Sequence, residues 1–152
     1  MSESPTSVPA PRAMMFLRIV LAGVVLLQAL SSGLPLIGYA GFKLGLIHPV
    51  SGPAARMVPV WAETAWWQLG VWSACVAGLL VVAWRLIRRR ATVGLYLTAI
   101  LLNAGLQWLM LRGPEAQRLF ARSARFDLDR LALLLAVGAL IWWAEQRRDR
   151  TG

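Results

Sequence analysis

From Thr64 to Trp84 the chain carries no charged residue, and it then closes on Arg85 and the triplet Arg88, Arg89 and Arg90. At about 1.5 Å per residue a helix of this length crosses a hydrocarbon layer roughly 30 Å thick. In lipid every backbone N–H and C=O must be satisfied within the chain, which leaves only helices and closed barrels. Barrel strands alternate polar and apolar residues over about ten positions. Here the apolar residues are continuous, so the segment reads as a helix.

Similar runs recur. Thr92 to Leu111 is uncharged, Met14 to Ile37 is broken only by Arg18, Gln28 and Ser31-Ser32-Gly33, and Leu131 to Ala144 is a shorter apolar stretch. With 58% hydrophobic residues among 152 and a mean hydropathy of +0.59, the chain has more apolar surface than one soluble core of its size hides. The expected fold is all-α: an integral membrane four-helix bundle with spans at about 14–37, 64–86, 91–111 and 128–145, one domain over residues 14–146. Residues 1–13, rich in Ser and Pro, form a disordered tail, and 147–152 form a short basic one. A cleaved signal peptide competes at the N-terminus, given Arg12, Arg18 and the small residues Ala29 to Ser31. Against it, hydrophobicity continues from Pro35 to Tyr39, and cleavage would leave an odd number of spans.

The connections follow from Pro and Gly. Pro35 should bend or end the first helix, and Gly38 to Pro53 reads as a partly re-entrant or interfacial loop. Between the third and fourth spans, PEAQRLFARSARFDLD has a helical pattern opening on Pro114. Ala116, Leu119, Phe120 and Ser123 share one face and Arg118, Arg122 and Arg125 another, which predicts an amphipathic helix lying in the interface. Asp127 is placed to cap the fourth span, with Asp129 complementing its dipole.

A net charge of +9 invites a nucleic-acid reading. The arginines, however, cluster at and between the ends of the apolar runs, where they mark the membrane boundary and meet anionic headgroups. With the N-terminus in the cytoplasm, nine basic residues fall on that side (Arg12, Arg18, Arg85, Arg88, Arg89, Arg90, Arg147, Arg148 and Arg150) and seven on the other (Lys43, Arg56, Arg112, Arg118, Arg122, Arg125 and Arg130). Because Arg88 to Arg90 occupy a very tight turn, and Glu115, Asp127 and Asp129 offset arginines opposite, both termini are expected inside. Arg88, Arg89 and Arg90 act first as a topology anchor, with a specific anionic-lipid or phosphate site as the alternative. Trp66 and Trp67 at one boundary, with Trp142 and Trp143 at the other, read as an aromatic belt.

Catalytic constellations do not emerge. A single histidine, His48, falls in a loop, so one chain cannot offer two intramembrane histidines to a haem. The single Cys75 lies mid-span and forms neither an intrachain disulfide nor a CxxC relay; it reads as a small buried apolar residue. Phosphate-binding, nucleophile-elbow and HExxH motifs are not present. The expectation is a protein that is not an enzyme and has no cofactor or metal site.

What remains in the apolar spans is neutral polarity. Asn103 and Gln107, four apart, share a helical face, with Tyr96 and Gln28 as partners where faces meet and Glu63 as the one acid able to lean inward. Such groups are interhelical glue, at about 0.6 kcal/mol per bond, or alternatively a polar site for a quinone headgroup or a lipid. Gly70, Ala74 and Gly78, spaced by four, form a small-residue stripe that lets another helix approach closely. Small four-helix multidrug exporters are similar in size and span number but carry a carboxylate inside their first helix; here Arg18 to Tyr39 holds none.

LRIVLAGVVLLQA, followed by GFKL at Gly41 to Leu44 and by Glu63 ahead of a Trp- and Gly-containing helix that closes on arginine, resembles the DoxX-like group of small four-helix bacterial membrane proteins over roughly residues 17–105. Arg18, Gly41, Lys43, Leu44 and Glu63 take the matching positions, while the GYAGF context and the basic loop from Arg112 to Arg125 depart from the pattern. The resemblance implies a four-span fold in a bacterial inner membrane and an association with quinone-linked or oxidative-stress systems.

The leading expectation is therefore a non-catalytic accessory or anchoring subunit, held to another membrane protein through the Gly70/Ala74/Gly78 stripe and bedded in anionic lipid through Arg88 to Arg90, Arg118, Arg122 and Arg125. The alternative is a binder or transporter of a small molecule, lipid or quinone through Gln28, Tyr96, Asn103, Gln107 and Glu63. Nucleic acid is not an expected partner.

Overall fold

A computed structural model describes residues 11–110, 112–120 and 124–149. The N-terminal tail through Ala10, residues 150–152, and Arg122 and Ser123 of the expected interfacial helix lie outside the described residues, as do the side chains of Arg12, Leu119, Phe120, Arg125, Asp127 and Arg148.

Six helices and no strand occur among the described residues: α1 Pro11–Lys43, α2 Gly52–Glu63, α3 Trp66–Ile87, α4 Val93–Met110, α5 Pro114–Phe120 and α6 Ala124–Asp149. Three segments, Ala13–Lys43, Trp66–Ile87 and Val93–Met110, are long and apolar enough to cross a membrane. Helix α6 is longer than α4, but its uncharged middle, Leu131 to Ala144, is flanked by Asp129, Arg130 and Glu145. At 1.5 Å per residue that middle spans only about 21 Å.

Helix α1 packs on α3, α3 on α4, α4 on α6, and α6 returns to α1, so the four long helices close a ring. Each contributes one stripe at spacings of three and four: Leu21, Val25 and Ala29 from α1; Leu79, Val82 and Leu86 from α3; Tyr96, Ala99 and Ile100 from α4; Ile141 and Ala144 from α6. The opposite faces are apolar and exposed, among them Phe16, Leu27, Leu34, Val81, Leu101 and Leu133. A soluble bundle would carry charge there, so these faces suit lipid and mark a membrane-embedded protein. With lipid as apolar as the core, association rests on close packing. A Cβ on Gly78 would stand 3.6 Å from Ala99 Cβ, and one on Gly138 would stand 3.2 Å from Leu97 Cδ2.

Two local expectations are corrected. Helix α1 passes through Pro35 and continues to Lys43, so the stretch from Gly38 expected as loop is helical for its first six residues. Pro35 faces outward, and one missing backbone donor is tolerable in a long apolar helix whose other bonds have no water to compete with them. The stop is Gly45, at φ +70, with Leu46 N–H donating to Gly41 O at 2.9 Å; only a residue without Cβ adopts this left-handed cap cheaply. Likewise, α6 starts at Ala124, which puts Asp127 inside its first turn and not at its cap.

Helix α2 was not anticipated. It buries Val60 and Trp61 against the end of α1, where Trp61 meets Tyr39 and Phe42 at ring separations of 6.5 and 5.9 Å. The Tyr39 hydroxyl donates to Thr64 O at 3.2 Å, and Lys43 Nζ donates to Ala62 O at 3.2 Å, so α1 grips the α2–α3 link from two positions. Helix α5 opens at Pro114 as the sequence predicts and packs on α2 at the same end of the bundle.

Candidate functional site

The polar residues of the spans divide into satisfied and unsatisfied sets. Tyr96, on the inner stripe of α4, is completely buried, and its hydroxyl donates toward Leu134 O at 3.1 Å and Gln28 Oε1 at 3.3 Å. One phenol thus joins α1, α4 and α6. Gln28 and Tyr96 are therefore brought together, as their expected partnership requires.

Asn103 lies seven residues farther along α4, about two turns from that pair. It is 6% exposed, and its Oδ1 is buried with no hydrogen-bond partner. Ser32, one turn beyond Gln28 on α1, is 5% exposed, and its Oγ is also unpartnered. Its neighbour Ser31 instead donates to Gln28 O at 2.9 Å. A third such atom is Trp72 Nε1 on α3.

Helix register brings these three to a similar depth. Gly78 abuts Ala99, so in antiparallel helices Asn103 comes level with Ala74, and Trp72 lies about 3 Å farther on. Gly33 abuts Val76 with 3.6 Å from a Cβ position to Val76 Cγ1, which sets Ser32 within a turn or so of Trp72. The three atoms therefore occupy a band of about 10 Å along the axis. The Trp72 ring stacks on Tyr39 at 6.3 Å, so the aromatic cluster under α2 roofs this band.

Chemically the band offers an acceptor in Asn103 Oδ1, a donor in Trp72 Nε1 and a hydroxyl in Ser32 that does either. With these groups the band can bind and orient a polar group through hydrogen bonds. Leaving a buried polar atom unpaired costs about 1–3 kcal/mol, and Ser32 Oγ, Trp72 Nε1 and Asn103 Oδ1 are each left so.

The other expected site residues lie apart. Gln107 is half-buried one turn past Asn103. Glu63 is exposed at the end of α2, with Oε2 2.9 Å from a Cβ position on Gly113, at the junction of α4 and α5. The small-residue stripe divides: Gly78 turns inward on Ala99, while Gly70 and Ala74 are exposed. Arg88, Arg89, Arg90 and Arg118 are exposed. Of the residues matching the DoxX-like pattern, Arg18 sits at one end of the bundle, donating to Ala144 O at 3.3 Å, and Gly41, Lys43, Leu44 and Glu63 gather at the other. Among the described residues no three His, Cys, Asp or Glu side chains converge as metal ligands.

Sequence reasoning passed over Ser32, although its spacing of four from Gln28 places both on one face of α1. It also passed over Trp72 and Glu145. The Glu145 Oε1 accepts the backbone N–H of Thr92, the Thr92 hydroxyl at 3.0 Å and the Val93 N–H at 3.1 Å, capping α4 from α6. Compared with protein-family models, curated proteins and solved structures, the chain matches none.

Proposed function

We propose that the protein is a four-span integral protein of a bacterial inner membrane, with both termini in the cytoplasm, that holds a lipid-soluble molecule by its polar headgroup between α1, α3 and α4. The observation that carries this reading is the set of unpartnered atoms Ser32 Oγ, Trp72 Nε1 and Asn103 Oδ1 within one depth of the bundle. A headgroup with carbonyl and hydroxyl oxygens, as in a quinone or a glycerolipid, complements one donor, one acceptor and one hydroxyl. Its apolar tail would leave through the exposed leucine and valine faces. Purification in mild detergent followed by extraction and mass spectrometry tests the reading. The native chain should retain such a molecule in stoichiometric amount, and Ser32→Ala with Asn103→Leu should lose it while staying folded. An equally loaded double variant, or a native chain with nothing bound, overturns it.

Helix α6 is the fourth span in this reading. Trp84/Arg88 at the end of α3, Trp108/Arg112 at the end of α4 and Trp143/Arg147 at the end of α6 are three pairs at spacing four, with the guanidinium carbon 5.4, 3.6 and 4.6 Å from the ring centroid. A tryptophan at the interface with an arginine one turn farther into the headgroups is a boundary device, and α6 carries it as the two accepted spans do.

A second reading, a non-catalytic accessory or anchoring subunit, is favoured by a different observation. Gly70, Ser73, Ala74 and Ala77 form an exposed face of α3 where large side chains would otherwise meet lipid. Ala74→Ile should then leave the chain folded but abolish co-purification of a partner span. Unchanged co-purification argues against it.

A further inference from the structure

The α3–α4 turn lies at the end of the bundle that also holds the start of α1 and the end of α6. Arg18, Arg85, Arg88, Arg89, Arg90 and Arg147 gather there, and among the described side chains Glu145 is the acid that faces them. Its Oε1 accepts from the first residues of α4.

Arg85 is the member with an enclosed donor that lacks an acceptor. It is half-buried in the last turn of α3, and its Nε is enclosed with no acceptor. Gly78 abuts Ala99 seven residues earlier on α3 and seven later on α4, so the register sets Arg85 level with Thr92, beneath the turn. Three backbone oxygens at the C-terminal end of α3 already accept hydrogen bonds from the turn. Trp84 O accepts Arg88 N–H at 3.1 Å, Arg85 O accepts Arg90 N–H at 3.0 Å, and Leu86 O accepts Arg89 N–H at 3.2 Å. The Arg89 side chain crosses to Met15 Sδ at 3.8 Å, a soft and weak acceptor. Desolvating a guanidinium donor without an acceptor is expensive, and Arg85 Nε has none.

The place is also the right depth for lipid headgroups. Trp84, just before Arg85, and Ile87, two residues after it, are 53% and 62% exposed, which places this last turn of α3 at the boundary between apolar span and polar turn. We propose that this turn is a binding site for an anionic phospholipid, with the lipid phosphate accepting from Arg85 and the surrounding arginines neutralising its charge. The planar guanidinium fork suits phosphate oxygens, which an ammonium meets only as a point charge. This site is separate from the mid-bundle band, and either can fail without the other.

The full-length chain in phosphatidylcholine nanodiscs, titrated with phosphatidylglycerol and read by native mass spectrometry, tests the proposal. Phosphatidylglycerol should be retained in preference to phosphatidylcholine, and Arg85→Gln should weaken retention about tenfold, the effect of losing one charge-assisted hydrogen bond. Arg85→Lys, which keeps the charge but removes the enclosed Nε, should be weakened as well, whereas Arg112→Gln at the opposite end should leave retention unchanged. Equal weakening by Arg112→Gln, or full retention by Arg85→Lys, overturns the site in favour of diffuse attraction. Inorganic phosphate should not displace the lipid at millimolar concentration; displacement would assign the site to a soluble phosphate and overturn the lipid as occupant.

Discussion

Tyr96 and Asn103 lie on one helical face of α4, yet the same kind of substitution should act on them in opposite directions. The Tyr96 hydroxyl serves Gln28 and Leu134 across three helices. Tyr96→Phe strands the Gln28 side-chain oxygen and should lower stability in detergent by about 0.6–2 kcal/mol. Asn103 Oδ1 has no partner in the chain. Removing an unsatisfied amide takes away a desolvation penalty, so Asn103→Leu should leave the melting temperature of the ligand-free protein unchanged or raise it, while abolishing any stabilisation by a bound headgroup. A thermal melt of both variants with and without extracted lipid separates the cases; a large loss of stability for ligand-free Asn103→Leu would mean that the amide is structural glue after all. The sequence could show that Asn103 and Gln107 share a face and that Gln28 and Tyr96 are available as partners. It could not show which polar atoms pair, because that depends on the rotation of four helices by less than one residue step.

At the scale of elements, the apolar runs identify the long helices because length and absence of charge are read directly, whereas their ends depend on single atoms. Pro35 signals a helix end that a long apolar helix overrides, and Gly45 supplies the stop instead. Helix α2 was missed because its start, Gly52-Pro53, closes the stretch read as loop and its remaining residues, interrupted by Pro59, were given no reading, while the helix buries Trp61 against α1. The α4 start depends on Glu145, distant by more than fifty residues in sequence. Glu145→Ala should therefore destabilise the bundle by about 1–2 kcal/mol, by stripping acceptors from the α4 N-terminus and removing a favourable charge from its dipole, and Glu145→Gln should recover part of it. Chemical unfolding in detergent measures both. The α3 stripe gives a second contrast: Gly78→Leu must force α4 away from Ala99 and should disrupt folding, while Ala74→Ile, on the exposed face, should leave the isolated chain folded. Equal sensitivity of the two would mean that α3 is rotated from the position described.

For the whole molecule, the decisive element is α6, whose uncharged middle is short for a full bilayer. Its contacts set its direction. Arg18 of α1 donates to Ala144 O, and Glu145 caps the start of α4, so the end of α6 is at the same end of the bundle as the α3–α4 turn. The start of α6 follows α5, which packs with α2 at the other end. A helix fixed at both ends in this way runs from one end of the bundle to the other beside its neighbours, and in the proposed four-span reading it crosses the membrane with them. The flanking Asp129, Arg130 and Arg147 can extend its reach by turning long side chains toward the interfaces, and local thinning of the bilayer can absorb the remaining few ångströms. Site-directed labelling tests the crossing in the intact cell. Cys75 is buried, so in a Cys75→Ala background Arg90→Cys and Gln146→Cys, both at exposed positions, should react with a membrane-impermeant maleimide only after the membrane is permeabilised. Arg112→Cys, also exposed, should react in intact cells. If Gln146→Cys instead reacts together with Arg112→Cys, α6 lies along one surface and the protein has three spans; if Arg90→Cys and Gln146→Cys react first and Arg112→Cys is protected, four spans remain but the orientation is inverted. The count of basic residues alone leaves that last choice close, nine against seven, so the expected orientation leans on the tight turn of Arg88 to Arg90 and on the acids that offset arginines at the opposite end.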